Sequence, residues 1–351
     1  MQTPDAASSS ELPPLNDVLD GARVVSLPMR NQFRGQQTRE ALLLDGPAGW
    51  GEFAPFPEYG PKESSAWLRA GLEATWAGWG EPLREVIPVN ATMPAVGPEQ
   101  VEGVLRRFGA PERIPAVKIK VAEPGQELAD DLTRFREVRR LVPQAGLRVD
   151  ANGAWSQAEA VRAIAALGEI AGERFEYAEQ PVAGVEPLAV LREELARRGL
   201  PVRIAADEAV RKAEDPLRVA ALGAADLMVV KAAPIGGVES ALAVVAESGL
   251  DAVVSSALDT SVGLAAGLAL AARLPELPYA CGLGTAALLA ADVVSEPLVP
   301  SDGALTVPLR SGRIGAPVPA PQLLHAHRVG PEREAWWKAR LRAAYEVLAL
   351  R

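Results

Sequence analysis

Lysine is rare in this chain: six residues (Lys62, Lys118, Lys120, Lys212, Lys231, Lys338) against thirty arginines. Where a surface charge suffices, the sequence writes Arg, so the places where it writes Lys invite a chemical reading. An ammonium, unlike a guanidinium, can give up its proton near neutral pH when its surroundings are tuned. Two of the six stand two apart in Ala116-Val117-Lys118-Ile119-Lys120-Val121, a β-branched stretch that reads as a strand. Side chains two apart share a strand face. Lys118 and Lys120 therefore point one way and Val117, Ile119 and Val121 the other. A solvated edge strand would accommodate them. In a chain of segments that look buried on both faces, the pair implies a closed interior holding anions or doing chemistry.

Three more segments each end in a carboxylate: Asp150 in Val149-Asp150-Ala151-Asn152, Glu179 in Ala178-Glu179-Gln180-Pro181, and Asp207 in Ala206-Asp207-Glu208. Each alone would pass for a loop residue or a helix cap. At one height on adjacent strands they would repel unless a cation held them together. Oxygen-only ligands suit a hard ion, Mg²⁺ first, with Mn²⁺ able to substitute. A fourth segment ends in Val230-Lys231.

The elements that must position these groups recur along the chain. Strand-like segments begin near residues 89, 116, 147, 175, 202, 226, 251 and 279. Helical patterns separate them: Glu99 to Phe108, Glu127 to Leu141, Ser156 to Leu167, Pro187 to Arg198, Pro216 to Leu222, Val238 to Ser248 and Val262 to Leu274. Units of this length, eight times over, predict an α/β fold of the (β/α)8-type barrel. Chemistry in such barrels sits at the C-terminal strand ends. Strands two and six then oppose each other, so Lys120 and Lys231 flank the carboxylates. Such an array removes a proton next to a substrate carboxylate: a metal stabilises the enediolate and a neutral lysine takes the proton.

Before the barrel come strand-like pieces at Ala22 to Met29, Arg39 to Leu44 and Gly49 to Phe56, a polar loop Arg30 to Gln37, and a helix from about Glu63 to Trp79. Past about Pro300 the pattern breaks, and a charged, aromatic helix runs from Glu332 to Leu350. The expected organisation is a disordered start at 1–14, a small α+β capping domain from 15–88 plus about 300–351, and a barrel at 89–299.

Composition narrows the function. Length 351 permits a large core, and net charge −9 disfavours nucleic acid and anionic membrane as partners. The one cysteine, Cys281, excludes an intrachain disulfide and suits a reducing compartment. Histidine occurs only at His325 and His327, so no histidine-based triad or zinc centre is available mid-chain. Residues 1–14 lack an apolar signal core, and no run of about 18 apolar residues suggests a membrane span. A cytoplasmic enzyme acting on a small-molecule carboxylate is expected.

The Lys-x-Lys strand, the Asp/Glu/Asp set and the later Lys resemble the enolase superfamily, muconate-lactonizing-enzyme subgroup. Within it, Arg148 to Trp155, Gly49 to Pro55, Ser255 to Ser261 and Gly282-Leu283 are similar to the o-succinylbenzoate synthase family. That family dehydrates 2-succinyl-6-hydroxy-2,4-cyclohexadiene-1-carboxylate in menaquinone synthesis. The resemblance implies that Lys120 takes the proton and then protonates the departing hydroxyl on the same face. It implies that Lys231 stabilises the enediolate from the opposite face, and that Lys118 aids the substrate carboxylate and depresses the pKa of Lys120. Ser255, Ser256 and Gly282 would contact the substrate's polar groups, with Arg148 acting less directly.

Other roles stay open. Arg148 could pair with a ligand carboxylate, and Ser255 and Ser256 could simply end a strand. Asn152 and Glu208 read as residues that orient the metal ligands, or as helix caps. Pro234-Ile235-Gly236-Gly237 reads as a turn into the sixth helix rather than a phosphate loop. Phe33, Arg34 and Phe53 could close over the substrate or pack the cap. An N-acylamino acid racemase would use the same two lysines as alternate acid and base, as would a dipeptide epimerase. The epimerases usually carry Asp-x-Asp after strand eight, where this chain has Gly282-Leu283-Gly284-Thr285. A muconate cycloisomerase would keep the same metal and lysines. A non-enzymatic binding barrel would tolerate a missing lysine or ligand, and none is missing.

Overall fold

The computed structural model describes residues 12–33, 36–211 and 216–350. The disordered start expected at 1–14 falls outside them for residues 1–11, while Pro13 is described and its carbonyl accepts a hydrogen bond from Tyr345 at 2.8 Å.

The N-terminal part forms an antiparallel sheet of β1 (Arg23–Phe33), β2 (Gln36–Gly46) and β3 (Gly49–Phe53). Ala41 to Leu44 are all fully buried, because both faces of the central strand are covered. The polar loop expected at Arg30 to Gln37 is mostly strand instead: the register shifts after Pro28 and pairing resumes at Phe33 with Gln36. Proline cannot donate to the ladder, so the slip falls there. Helix Pro61–Leu72 covers the sheet and runs on into a π-turn, Glu73–Ala77. The last helix, Pro331–Ala349, joins this same unit: Trp337 stands edge-on to Phe53 with centroids 6.0 Å apart, and its indole N–H donates to Glu40 at 2.9 Å. Arg340 donates from that helix to the carbonyls of Pro55 and Tyr59 at 3.0 and 2.8 Å.

A short ribbon, β4 (Val86–Pro88) paired with β12 (Ala304–Thr306), leads in and out of the barrel. The barrel holds seven parallel strands: β5 (Ala91–Met93), β6 (Ala116–Lys120), β7 (Gly146–Asp150), β8 (Phe175–Glu179), β9 (Arg203–Ala206), β10 (Leu227–Val230) and β11 (Asp251–Val254). The eighth position is the segment Tyr279 to Gly282, which closes the ring through single bridges. Cys281 N–H donates to the Pro88 carbonyl at 2.7 Å and Gly282 N–H to that of Val254 at 2.7 Å. No full helix follows it; the chain turns through a 3-10 segment, Gly284–Leu288. The barrel thus has eight strand positions and a last unit without its helix.

Buried side chains divide by strand parity. Val117, Ile119, Val149, Ile204 and Val230 face the helices in the large outer core. Tyr177, Ala205, Leu227, Val229 and Val253 face inward as a small separate core. That inner plug forms the floor beneath the strand ends, and Lys118 and Lys120 share its face, as period two requires.

Candidate active site

Register brings the chemistry-bearing residues together. Lys120 stands beside Asp150 and Asp150 beside Glu179, on neighbouring strands at one height. Asp207 and Lys231 come immediately after β9 and β10. All five are at least nine-tenths buried, a costly placement unless the charges are paired.

Each of them is paired with an opposite charge, with Lys118 as the sixth member of the cluster and also 3.7 Å from Asp150. Lys118 donates to both Glu179 oxygens at 3.0 and 2.9 Å. Lys120 donates to Asp150 Oδ2 at 2.6 Å and to Asn152 Oδ1 at 2.7 Å. Lys231 donates to both Asp207 oxygens at 2.6 Å. Burial opposes the charge on Asp150, but Lys120 and Lys118 outweigh it and hold its carboxyl below the usual range. Burial, aided by the charge of Asp150, pushes Glu179 up to about 7 against the pull of Lys118. Burial also works against the Lys118 ammonium, and Glu179 and Asp150 outweigh it, so its pKa lies above the ordinary lysine value.

Among the described residues no three acidic, His or Cys groups gather around one point. The donor chemistry nevertheless fits a hard divalent ion: three buried carboxylates on adjacent strand ends, supplying oxygen ligands only. The three ammonium groups are the cations that balance them here.

The strand ends open into a cleft of about 550 Å³, part of it open to solvent. Lys118, Lys120, Asp150, Asn152, Asp207 and Lys231 line its charged side. Ser255, Ser256, Gly282 and Thr285 line a polar wall: Ser256 Oγ lies 2.6 Å from Thr285 Oγ1 and donates to the Gly282 carbonyl at 3.1 Å. Glycine at 282 leaves room beside Ser255: a Cβ there would stand 2.6 Å from Ser255 Oγ and turn that hydroxyl away. Phe56, Trp67, Ala257 and Leu258 form the apolar wall.

Several expected residues take other places. Arg148 does not line the cleft. It lies one layer below Asp150, donating to Glu176 at 2.5 Å, Asn90 at 3.0 Å and the Ala280 carbonyl at 2.6 Å, with its guanidinium 4.9 Å from the Tyr177 ring centroid. Its strand parity carries it into the floor. Asn152 donates to Glu208 at 3.2 Å while accepting from Lys120, so this pair borders the charged cluster. Phe53 is fully buried against Trp337 and takes no part in closing the cleft. Arg34 lies outside the described residues, as does the side chain of Phe33. The glycines of Pro234 to Gly237 do not cradle a phosphate: Glu73 of the cap accepts from the Val238 and Glu239 amides at 2.6 and 2.9 Å and fills that helix N-terminus.

Sequence reasoning passed over Thr92, Phe56, Trp67, Leu258 and Thr285, all on the cleft wall. It also passed over Gln180, whose Oε1 accepts from the Asp207 and Ala209 amides at 3.0 Å each and so fixes the Asp207 backbone. Its position directly after Glu179 was the available signal.

The chain is similar to several known proteins. Residues 99–315 match the enolase C-terminal domain-like family, and residues 24–75 its N-terminal domain-like counterpart. A protein of Mycobacterium leprae named o-succinylbenzoate synthase is 50% identical over 96% of this chain and 95% of its own length. The Mycobacterium tuberculosis protein of the same name is 49% identical over 96% of this chain and 97% of its own length. Among solved structures, the muconate lactonizing enzyme of Pseudomonas fluorescens complexed with muconolactone superposes with a TM-score of 0.70 over 88% of this chain and 98% of that one, at 20% identity. The Pseudomonas putida muconate lactonizing enzyme gives 0.69 over 88% and 98%, also at 20% identity. These last two likenesses concern the fold.

Proposed function

The chain belongs to the o-succinylbenzoate synthase family of the enolase superfamily, and from that premise we propose that it dehydrates 2-succinyl-6-hydroxy-2,4-cyclohexadiene-1-carboxylate to 2-succinylbenzoate in menaquinone biosynthesis. What carries the proposal is a pair of lysines, Lys120 and Lys231, rooted on opposed strands, each bonded to a strand-end carboxylate and both opening on one cleft.

Asp150, Glu179 and Asp207 would hold Mg²⁺, or Mn²⁺ in its place. Bound there, the ion supplies positive charge beside the substrate carboxylate. Lys120 takes the proton from the carbon next to that carboxylate. As the ammonium it returns the proton to the hydroxyl leaving from the same face, so that water departs and the ring becomes aromatic. Lys231 stays charged on the other face, over the developing electron density. Lys118, held to Glu179, adds charge near the substrate carboxylate. Ser255, Ser256 and the Gly282 backbone meet the substrate's polar groups, while Arg148 supports them from the floor. Asn152 and Glu208 orient Lys120 and its carboxylate partner.

In this proposal residues 15–88 with about 300–351 are the cap and 89–299 the barrel, and the enzyme works in the cytoplasm on a small-molecule substrate. No described helix is long and apolar enough to cross a membrane. The purified protein should convert the cyclohexadiene to 2-succinylbenzoate, followed by the ultraviolet change as the diene is lost. Failure to convert it, with efficient racemisation of an N-acyl amino acid, would hand the assignment to the racemase alternative.

A further inference from the structure

The apolar wall of the cleft is built from both parts of the molecule. Phe56 comes from the cap, and Leu258 comes from the loop after β11. One buried side chain that does not line the cleft supports both. Arg39 of β2 donates through Nε to the Leu258 carbonyl at 3.0 Å and through Nη2 to the Ala54 carbonyl, and its guanidinium lies 4.7 Å from the centroid of Phe56.

Leu258 needs such support. Its φ is +63°, a left-handed conformation that a non-glycine residue keeps only where its surroundings hold it. The neighbouring residues are gripped too. Asp259 Oδ2 accepts from the Ala257 amide at 3.0 Å, and Glu52 of the cap accepts from the Thr260 amide at 3.1 Å and its hydroxyl at 2.6 Å. Glu52, Asp259 and Glu58 are the carboxylates whose charges act on Arg39. The left-handed turn aims Leu258 at the cleft, and the guanidinium fixes that turn relative to Phe56.

We propose that Arg39 is a specificity-determining positioning residue: it sets the spacing of Phe56 and Leu258, and with it the fit of the apolar wall to the uncharged part of the substrate. This rests on the dehydratase reading given above. Lysine could keep the charge but not the planar fork that bonds two carbonyls while stacking on a ring.

The experiment compares wild type, Arg39→Lys and Arg39→Gln in steady-state dehydration, in calorimetric binding of 2-succinylbenzoate, and in thermal melting. The expected result for both variants is a KM and a product Kd raised about tenfold, the scale of coupling between residues in contact, with kcat within about threefold. Unchanged KM and product Kd in folded variants, with only the melting temperature lowered, would make Arg39 plain structural support and overturn the proposal. Should Arg39→Gln not fold, Arg39→Lys is repeated in a Leu258→Gly background, where glycine adopts the positive φ unaided. A smaller KM effect there supports action through Leu258, and an equal effect contradicts it. A wild type that binds product but does not turn over the cyclohexadiene removes the dehydratase reading; unchanged product binding in the variants removes this one.

Discussion

Replacing Glu52 by Gln should reverse sign with pH. Glu52 is 7% exposed and accepts hydrogen bonds from Thr260. Burial and the neighbouring Asp259 push it from 4.5 to about 8, against the pull of Arg39. A carboxyl whose pKa is raised by folding contributes stability in its protonated form. That contribution is fully present below the unfolded value of 4.5 and is lost as pH rises through about 8. Glutamine keeps the oxygen that accepts from Thr260 and has no proton to lose. Relative to the variant, wild type should therefore lose stability by at most about 1.4 kcal/mol per pH unit. Over the whole window this gives an upper limit of about 5 kcal/mol, reduced where Asp259 and Arg39 share the charge. Urea denaturation of both proteins in EDTA, at pH 5 and at steps up to 9, measures the gap. Glu52→Gln should be equal to wild type or weaker near pH 5 and clearly more stable near pH 9. Parallel curves, or a gap that moves the other way, would refute the buried protonated carboxyl.

Two further outcomes are expected. EDTA should abolish turnover and Mg²⁺ or Mn²⁺ restore it, while Asp150→Ala, Glu179→Ala or Asp207→Ala should each weaken metal binding in calorimetry, since the remaining pair under-coordinates a hard ion. Gly237→Ala should lower thermal stability by about 1 to 3 kcal/mol, because its φ is +122° and a Cβ would stand 2.5 Å from Glu73 Oε2.

The charged half of the site was legible because its signals are local. Lys118 and Lys120 declare a face by their spacing, and Asp150, Glu179, Asp207 and Lys231 each finish a strand or follow it directly. In a barrel, the end of a strand fixes the height of its residues without knowledge of any distant contact. The apolar half was not legible. Arg39 meets Leu258 219 residues along the chain, and Glu52 meets Thr260 208 residues along, separations that no periodicity encodes. Arg148 differs in depth: two residues before Asp150 it shares the inward face, but that step lowers it from the mouth into the floor. The eighth strand position was read as beginning near Tyr279, while the 3-10 turn in place of its helix left no pattern to find.

The division of labour between the two lysines is tested most directly by steady-state dehydration in wild type, Lys120→Ala, Lys231→Ala and Lys231→Arg. Loss of acid–base help costs about 10²- to 10⁴-fold. Lys120→Ala should fall by at least that much, because one amine both takes and returns the proton. Lys231→Arg, which keeps a cation without a titratable base, should retain more activity than Lys231→Ala. A Lys231→Arg enzyme as inactive as Lys231→Ala, alongside a wild type that exchanges the α-proton of N-acyl amino acids for deuterium and leaves the cyclohexadiene untouched, would contradict it.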